Sequence, residues 1–414
     1  MKLLILGGGN AQLQAIKRAK EMGHSVIVSD YYPDAPGKKY ADYKELESTF
    51  DVEKNIEIAK KYKVDGVMTL GTDQPVYTAA SVAEVLGLPS FIDTQTALAV
   101  TNKRIMKQIL MDNGIPVAPY RFIKEGFMDL ELAGLNFPVV IKPLDSQGQR
   151  GIYKLNTIED IRLHIKDTLS YSREDEIIVE EFYENKEITV SGWVDAGQTY
   201  IITVTDRISI QSGAHLGICT SHHFPSRYSS THYAEIKGIT ELVVKSVGIK
   251  NGPIYFQMLI GSEGVKVNEI SCRVGGAHED EFIPELTGIN ILDLIIKGAL
   301  AEELALETIR KHDVQALQQK ASVELVFARP GRVIRLSDTK DVKKIPGVVQ
   351  AGYYVGPGHQ VGEIDNATQR VGYMIVTAKT EEELKARLNA AYDVYRMENE
   401  NGDNMIFRDF IITY

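Results

Sequence analysis

Two cysteines, Cys219 and Cys272, are all that 414 residues carry. That excludes a disulfide framework and a cysteine-built metal knuckle, and it fits a reducing cytoplasm. No apolar run is long enough to cross a bilayer, so no membrane partner is expected. The chain enters a strand at once, which leaves no room for a secretory leader. Positive charge is in deficit: the formal net charge is -10, which argues against a general nucleic-acid binder. No repeat or low-complexity tract breaks a globular composition, 44% hydrophobic and 25% charged. This length exceeds one ordinary core, so roughly two to four domains are expected.

The first hundred residues alternate strand and helix. KLLIL, SVIVSD and VDGVMTLG read as strands. AQLQAIKRAKEMG and DVEKNIEIAKKY read as helices, the first stopped by Gly23, the second with Ile56 and Ala59 on one stripe. That order predicts an α/β unit with a parallel sheet flanked by helices. TNKRIMKQILMDNGIP reads as one helix, capped by Thr101 or Asn102 and ended by Gly114 and Pro116. From Phe137 the strands PVVIKPL, GIYKL, EIIVEEF, EITVSGWV and TYIITVT surround one helix, TIEDIRLHIKDTL, an α+β pattern. PIYFQMLI and VKVNEIS form a hairpin, and the helix INILDLIIKGALAEEL follows. A glycine-punctuated strand region and a helix over Thr380 to Met397 close the chain, with Thr380 and Glu383 at capping-box spacing.

The opening LLILGGGNAQL places Gly7 and Gly9 as a dinucleotide fingerprint would, and Asp30 ends the second strand. Gln12 stands where the third glycine belongs, and its side chain obstructs close helix–strand packing. A tight turn beside a small-substrate pocket is the alternative to a bound dinucleotide.

FPVVIKPLDSQGQRGI carries a different signal. A strand delivers Lys142, and Asp145, Ser146, Gln147, Gly148, Gln149 and Arg150 lead to Gly151. Such a loop can fold over phosphates with its N–H groups, with Lys142 as a point charge. It is not a Walker loop, because the lysine precedes the glycines and a strand follows. A plain hairpin loop remains the alternative. In PIYFQMLIGSEGVKVNEISCR, a three-residue loop Ser262-Glu263-Gly264 sets Gly261 against Val265 and Gln257 against Glu269. Facing β-carbons lie roughly 5 Å apart, and Ser271 shares that face. Carboxylate and amide oxygens side by side suit Mg²⁺, which leaves much of its shell to nucleotide phosphates and water; a solvated polar pair is the alternative. Arg273 follows at once and could clamp a phosphate or carboxylate, or form a surface salt bridge. EEFYENKE could present backbone groups to an adenine edge, with Glu187 accepting from ribose hydroxyls, or be a charged turn. In CTSHHFPSR, His222 and His223 lack the further ligands zinc needs, and a loop near the substrate, or a plain structural role, is expected. Cys272 reads as a small buried hydrophobe.

Taken in order, Lys103, Lys142, the 145–151 loop, EEF…Glu187 and Gln257…Glu269-Ile-Ser-Cys-Arg273 resemble the ATP-grasp superfamily of carboxylate–amine ligases. Within it, KPLDSQGQRGI and PGVVQAGYYVGPGHQVG resemble the L-amino-acid ligase branch, and YYPDAPGKKYAD resembles purine-biosynthetic members. The resemblance implies an ATP-grasp fold: a Rossmann-like parallel-sheet domain over residues 1–95, an ATP-grasp domain over 96–310 with a lid at about 115–182, and a mixed C-terminal domain over 311–414. It implies ATP and Mg²⁺ or Mn²⁺ as cofactors, small-molecule carboxylate and amine substrates, and often a homodimer. It implies that Lys103 and Lys142 contact phosphates, that Ser146 and Gly148 cover them, and that Glu180, Glu181, Phe182 and Tyr183 frame the adenine. Glu187 would hold the ribose; Gln257, Glu269 and Ser271 would hold the metal; Arg273 would stabilise an acyl-phosphate, with Lys142 and Glu269 as catalytic partners. Two positions depart from the pattern: Ser271 replaces an asparagine, and Gln257 an acid. A purine-pathway ligase of phosphoribosylglycinamide-synthetase or carbamoyl-phosphate-synthase type, a catalytically weakened ATP-binding module and an NAD dehydrogenase are the competing expectations.

Overall fold

A computed structural model of the chain describes residues 1–146, 148–212 and 215–408. Gln147, in the predicted phosphate loop, lies outside the described residues.

Four parallel strands open the chain: β1 (Lys2–Leu6), β2 (Ser25–Ser29), β3 (Tyr43–Glu45) and β4 (Gly66–Met68), in the order β3-β2-β1-β4. Both faces of β1 are buried, as a parallel sheet requires. Leu4 and Leu6 pack with Ile27, Val67 and Ile58 on one side. Leu3 and Ile5 pack on the other with Ala15 and Ile16 of the helix Leu13–Glu21, in a core that runs on to Val190 and Phe256.

The span read as one helix over Thr101 to Pro116 is preceded by a separate short helix, Thr94–Thr101, and itself runs Lys103–Asp112. Asn102, extended at ψ 115, breaks the two apart and caps the second by accepting from the N–H groups of Arg104 and Ile105. This cap sets Lys103 and Lys107 one turn apart on the same face.

A large sheet then forms in the order β13-β12-β9-β10-β11-β7-β6-β8-β5. Its strands are β5 (Tyr120–Lys124), β6 (Val139–Pro143), β7 (Tyr153–Leu155), β8 (Glu176–Glu181), β9 (Lys186–Asp195), β10 (Gln198–Ser212), β11 (His215–Phe224), β12 (Gly252–Gly261) and β13 (Gly264–Ser271). β5 to β8 and the helix Ile158–Ser170 enclose a small core of their own around Ile141, Ile161 and Val179. A strand at Lys320–Val326 pairs with β11 and carries the sheet into Gly372–Ala378 and Val348–Tyr353, where another core surrounds Met374, Leu388 and Tyr395. The closing helix runs Glu381–Val394; Thr380 caps it, and Glu383 accepts from the N–H of Lys379.

Two expectations change. Cys219 to His223 lie on a strand and not in a loop, because β11 finds partners on both edges, β10 and Lys320–Val326. The β12–β13 turn holds two residues, Ser262 and Glu263, and Gly261 faces Gly264 instead of Val265. Gln257 still faces Glu269, since a bulge at Asn268 absorbs the one-residue slip. Among the described residues no helix is long and apolar enough to cross a membrane.

Candidate active site

A cavity of about 890 Å³ lies where the parallel sheet, the large sheet and the C-terminal region meet. Lys103, Lys142, Ser146, Gly148, Glu180, Glu181, Phe182, Tyr183, Glu187, Gln257, Glu269 and Arg273 all line it. Ser271 does not; it is 1% exposed, and its hydroxyl has no hydrogen-bond partner among the described residues.

The wall is built from paired charges. The Lys103 ammonium sits 3.0 Å from a Glu269 oxygen and donates to the Ser146 carbonyl at 3.3 Å. Glu180, 3% exposed, takes Lys107 at 2.6 Å and Lys142 at 2.5 Å. Lys142 also donates to Asn268 Oδ1 at 2.8 Å, because the bulge turns that side chain toward it. Three ammonium groups thus share two carboxylates, a positive excess that draws a polyphosphate. Burial pushes the Glu180 carboxyl up, but Lys107 and Lys142 outweigh it and hold it at about 2. Burial also opposes the charged forms of Lys103 and Glu269; their mutual attraction wins, raising the first and lowering the second.

Arg273, 7% exposed, reaches across to the N-terminal unit and grips Asp73 Oδ1 from Nε at 2.9 Å and Nη2 at 2.6 Å. The approach is close: a β-carbon at Gly276 would lie 2.5 Å from the Gly71 carbonyl oxygen. Glu187 is ion-paired with Arg207 and accepts from Ser209 at 2.9 Å. Glu181 accepts from the backbone N–H of Asn136 at 2.8 Å, and the Lys154 ammonium covers the Phe182 ring at 3.5 Å. The Tyr183 hydroxyl donates to the Gly264 carbonyl at 2.8 Å and accepts from Glu263 N–H at 2.9 Å, tying this segment to the hairpin turn.

The 145–151 loop is rooted by Asp145, which takes the Arg173 guanidinium at 2.6 Å and the Ser172 hydroxyl at 2.6 Å. Gly148 and Gly151 have φ of 73° and 66°, a backbone state that glycine enters without steric cost. The Gly148 carbonyl accepts from Ala367 N–H at 3.2 Å, so the loop already leans on the C-terminal region.

The N–H groups of the opening glycines are taken up within the chain. Gly7 N–H donates to Ser29 O, Gly8 N–H to Asp30 Oδ2 at 2.8 Å, and Gly9 N–H to Gln12 Oε1 at 3.1 Å. Gln12 is 3% exposed, and its amide nitrogen donates to the Leu70 carbonyl and, at 3.3 Å, to Thr72. The glutamine therefore fills the place of the third glycine as a buried stitch between the ends of β1 and β4.

Gln257 offers an amide that no other described side chain engages, beside the carboxylate of Glu269 and with Asn268 adjacent. This is a hard-oxygen donor set, and it fits Mg²⁺ or Mn²⁺ with phosphates completing the shell. Lys107, Asn268, Asp73 and Arg207 were not singled out in the sequence. Only Lys107 had a signal there, one helical turn after Lys103. On β11 the two histidines face opposite ways. His222 lines the cavity, and His223 turns to Ser221 at 3.0 Å. Burial, aided by Arg207 and Arg370, keeps His222 well below its ordinary range and so neutral.

Residues 135–280 match the family model of the ATP-grasp domain, and residues 324–400 that of the L-amino acid ligase C-terminal domain 2. The chain is 25% identical over 346 residues to dapdiamide A synthase of Enterobacter agglomerans, covering 80% of each. It shares its fold with an L-amino acid ligase from Bacillus licheniformis, at a TM-score of 0.79 and 18% identity over 97% of this chain and 99% of that one. A phosphoribosylglycinamide synthetase from Anaerococcus prevotii gives 0.76 and 19% over 96% and 99%.

Proposed function

We propose that this chain, a member of the ATP-grasp superfamily, is an ADP-forming ligase that joins an amino acid or similar carboxylate to an amine through an acyl-phosphate. The observation that carries this reading is the convergence of Lys103, Lys142, Gln257 and Glu269 on one cavity, beside the glycine-bearing loop whose Ser146 carbonyl accepts from Lys103. The C-terminal match to L-amino acid ligases supports the choice of branch.

The chemistry follows from charge. A carboxylate is a poor electrophile until its oxygen accepts the γ-phosphoryl group. Lys103 and Lys142 would neutralise the phosphates, and the backbone around Ser146 and Gly148 would cover them. Gln257 and Glu269 would hold Mg²⁺ or Mn²⁺, which when bound offsets charge on the transferring group. The segment Glu180 to Tyr183 would frame the adenine, and Glu187 would meet the ribose while shared with Arg207. Arg273, oriented by Asp73, would steady the acyl-phosphate. The amine nitrogen then attacks the acyl carbon, the C–N bond forms, and phosphate leaves with the acyl oxygen. The loop, held against Ala367 through the Gly148 carbonyl, would keep water from the intermediate.

The test is ADP release with Mg²⁺-ATP and pairwise mixtures of the standard amino acids. The expected result is at least one pair giving ADP about tenfold above the ATP-only rate. Turnover only with a phosphoribosyl amine would move the chain to the purine ligases, and none at all would remove the catalytic reading.

A further inference from the structure

Lys107 has no role in the scheme above. It follows Lys103 by one turn of the same helix, yet it pairs with a different carboxylate. Its ammonium turns to Glu180 Oε1 at 2.6 Å. Lys142 takes the other oxygen, Oε2, at 2.5 Å. The strand register accounts for that second contact. Val140 faces Glu180 across β6 and β8, so Lys142, two residues on, shares the carboxylate's face of the sheet. The two lysines differ in reach: the Lys142 side chain is 14% exposed and the Lys107 side chain 2%. Lys142 is therefore the one open to a ligand, while Lys107 stays covered.

Glu180 is an anion that needs a cation at all times. It is buried, and although burial works against its charge, Lys107 and Lys142 hold the carboxyl at about 2. Without a ligand Lys142 is doubly engaged, by Glu180 and by Asn268 Oδ1 at 2.8 Å. A phosphate can claim the Lys142 charge only by loosening that pairing. Were Lys142 the sole cation on Glu180, its departure would strand a buried carboxylate, which is strongly unfavourable. Lys107 removes that penalty, since it remains on Glu180 after Lys142 turns to the ligand. Charge counting agrees. Two ammonium groups meet one carboxylate here, which leaves a net positive charge for a phosphate, whereas Lys142 and Glu180 alone would cancel.

We propose that Lys107 is a positioning residue for nucleotide binding: by keeping Glu180 paired it frees Lys142 to meet the ATP phosphates, and it does so without touching the nucleotide. That role rests on the ATP-dependent reading for its ligand, but it lies in binding and not in turnover. It gives successive turns of the helix Lys103–Asp112 two tasks. Lys103 faces Glu269 and the phosphates, and Lys107 faces Glu180.

The test is calorimetry on the full chain with Mg²⁺ and a non-hydrolysable ATP analogue, and separately with adenosine. Lys107→Met keeps an apolar stem and removes the charge. It should weaken the ATP analogue at least about tenfold and leave adenosine unchanged, because adenosine brings no phosphate to Lys142. Lys107→Gln, neutral but still a hydrogen-bond donor, should show the same loss and reads it independently if methionine disturbs the fold. Adding Glu180→Gln to Lys107→Met should restore the ATP analogue to within about threefold of the parent, since no carboxylate then holds Lys142. Unchanged affinity in both Lys107 variants, an equal loss for adenosine, or a loss that persists in the double variant would each overturn the role. A parent that binds no ATP analogue would remove the role and the ATP-dependent reading together. Binding with these signatures but no ADP release on any amino-acid pair would keep the role and remove the ligase. Unchanged affinity in Lys107 variants of a chain that does release ADP would do the reverse.

Discussion

Glu269→Gln lowers the rate of ADP release by about 10²–10³-fold in a protein that remains folded. Glutamine keeps the shape and one oxygen but removes the charge that faces Lys103 and lies opposite Gln257. On the proposed reading the divalent ion would then lose its anionic protein ligand, and Lys103 loses the partner 3.0 Å away. The free protein should become less stable by about 1–3 kcal/mol, a loss that nucleotide phosphates on Lys103 would offset. Steady-state ADP release with circular dichroism on the same sample checks both halves. Undiminished turnover would place the metal elsewhere.

Glu180→Gln has the larger effect on stability, a loss of about 3–5 kcal/mol. Its carboxylate is the shared counter-ion of Lys107 and Lys142, and Lys107 is only 2% exposed. Removing it leaves two ammonium groups facing each other, one of them, Lys107, out of reach of bulk water. Lys107→Met in the same chain should restore part of the loss, because one buried charge goes with it. The pH dependence has a definite sign. The folded carboxyl lies at about 2 against an ordinary 4.5, so its contribution is full above the ordinary value and is lost as pH falls toward 2. That difference corresponds to about 3 kcal/mol. Urea unfolding of the parent from neutral pH down to about pH 3 should show this decline, and Glu180→Gln should lack it.

The local elements were legible because their signals are local. Apolar periodicity and a glycine stop marked β1, β2 and the helices beside them, and of the two capping candidates Thr101 and Asn102 the structure uses Asn102 for the Lys103 helix. The hairpin pair Gln257–Glu269 was legible for a reason that was only half right. The sequence reads as a three-residue loop, whereas a two-residue turn and a bulge at Asn268 give the same facing pair. A bulge is invisible in a strand pattern, and with it went the role of Asn268 toward Lys142. Gln12 shows the opposite case: the missing glycine made a tight turn the alternative to a dinucleotide, and the structure shows a buried amide in the place that glycine would take. β11 was missed because CTSHHF alternates poorly and gains its strand character from two neighbours far along the chain. The pairing of Arg273 with Asp73 spans 200 residues, and the contact of Arg370 with the Cys219 carbonyl on β11 is of the same kind. No spacing rule reaches that far.

Diffraction from crystals grown with a non-hydrolysable ATP analogue and Mn²⁺ tests the central claim most directly, since manganese scatters anomalously. The account predicts an anomalous peak within coordinating distance of Glu269 and Gln257, with Lys103 and Lys142 on the phosphates. Nucleotide bound in the cavity with the metal held away from both residues would contradict it.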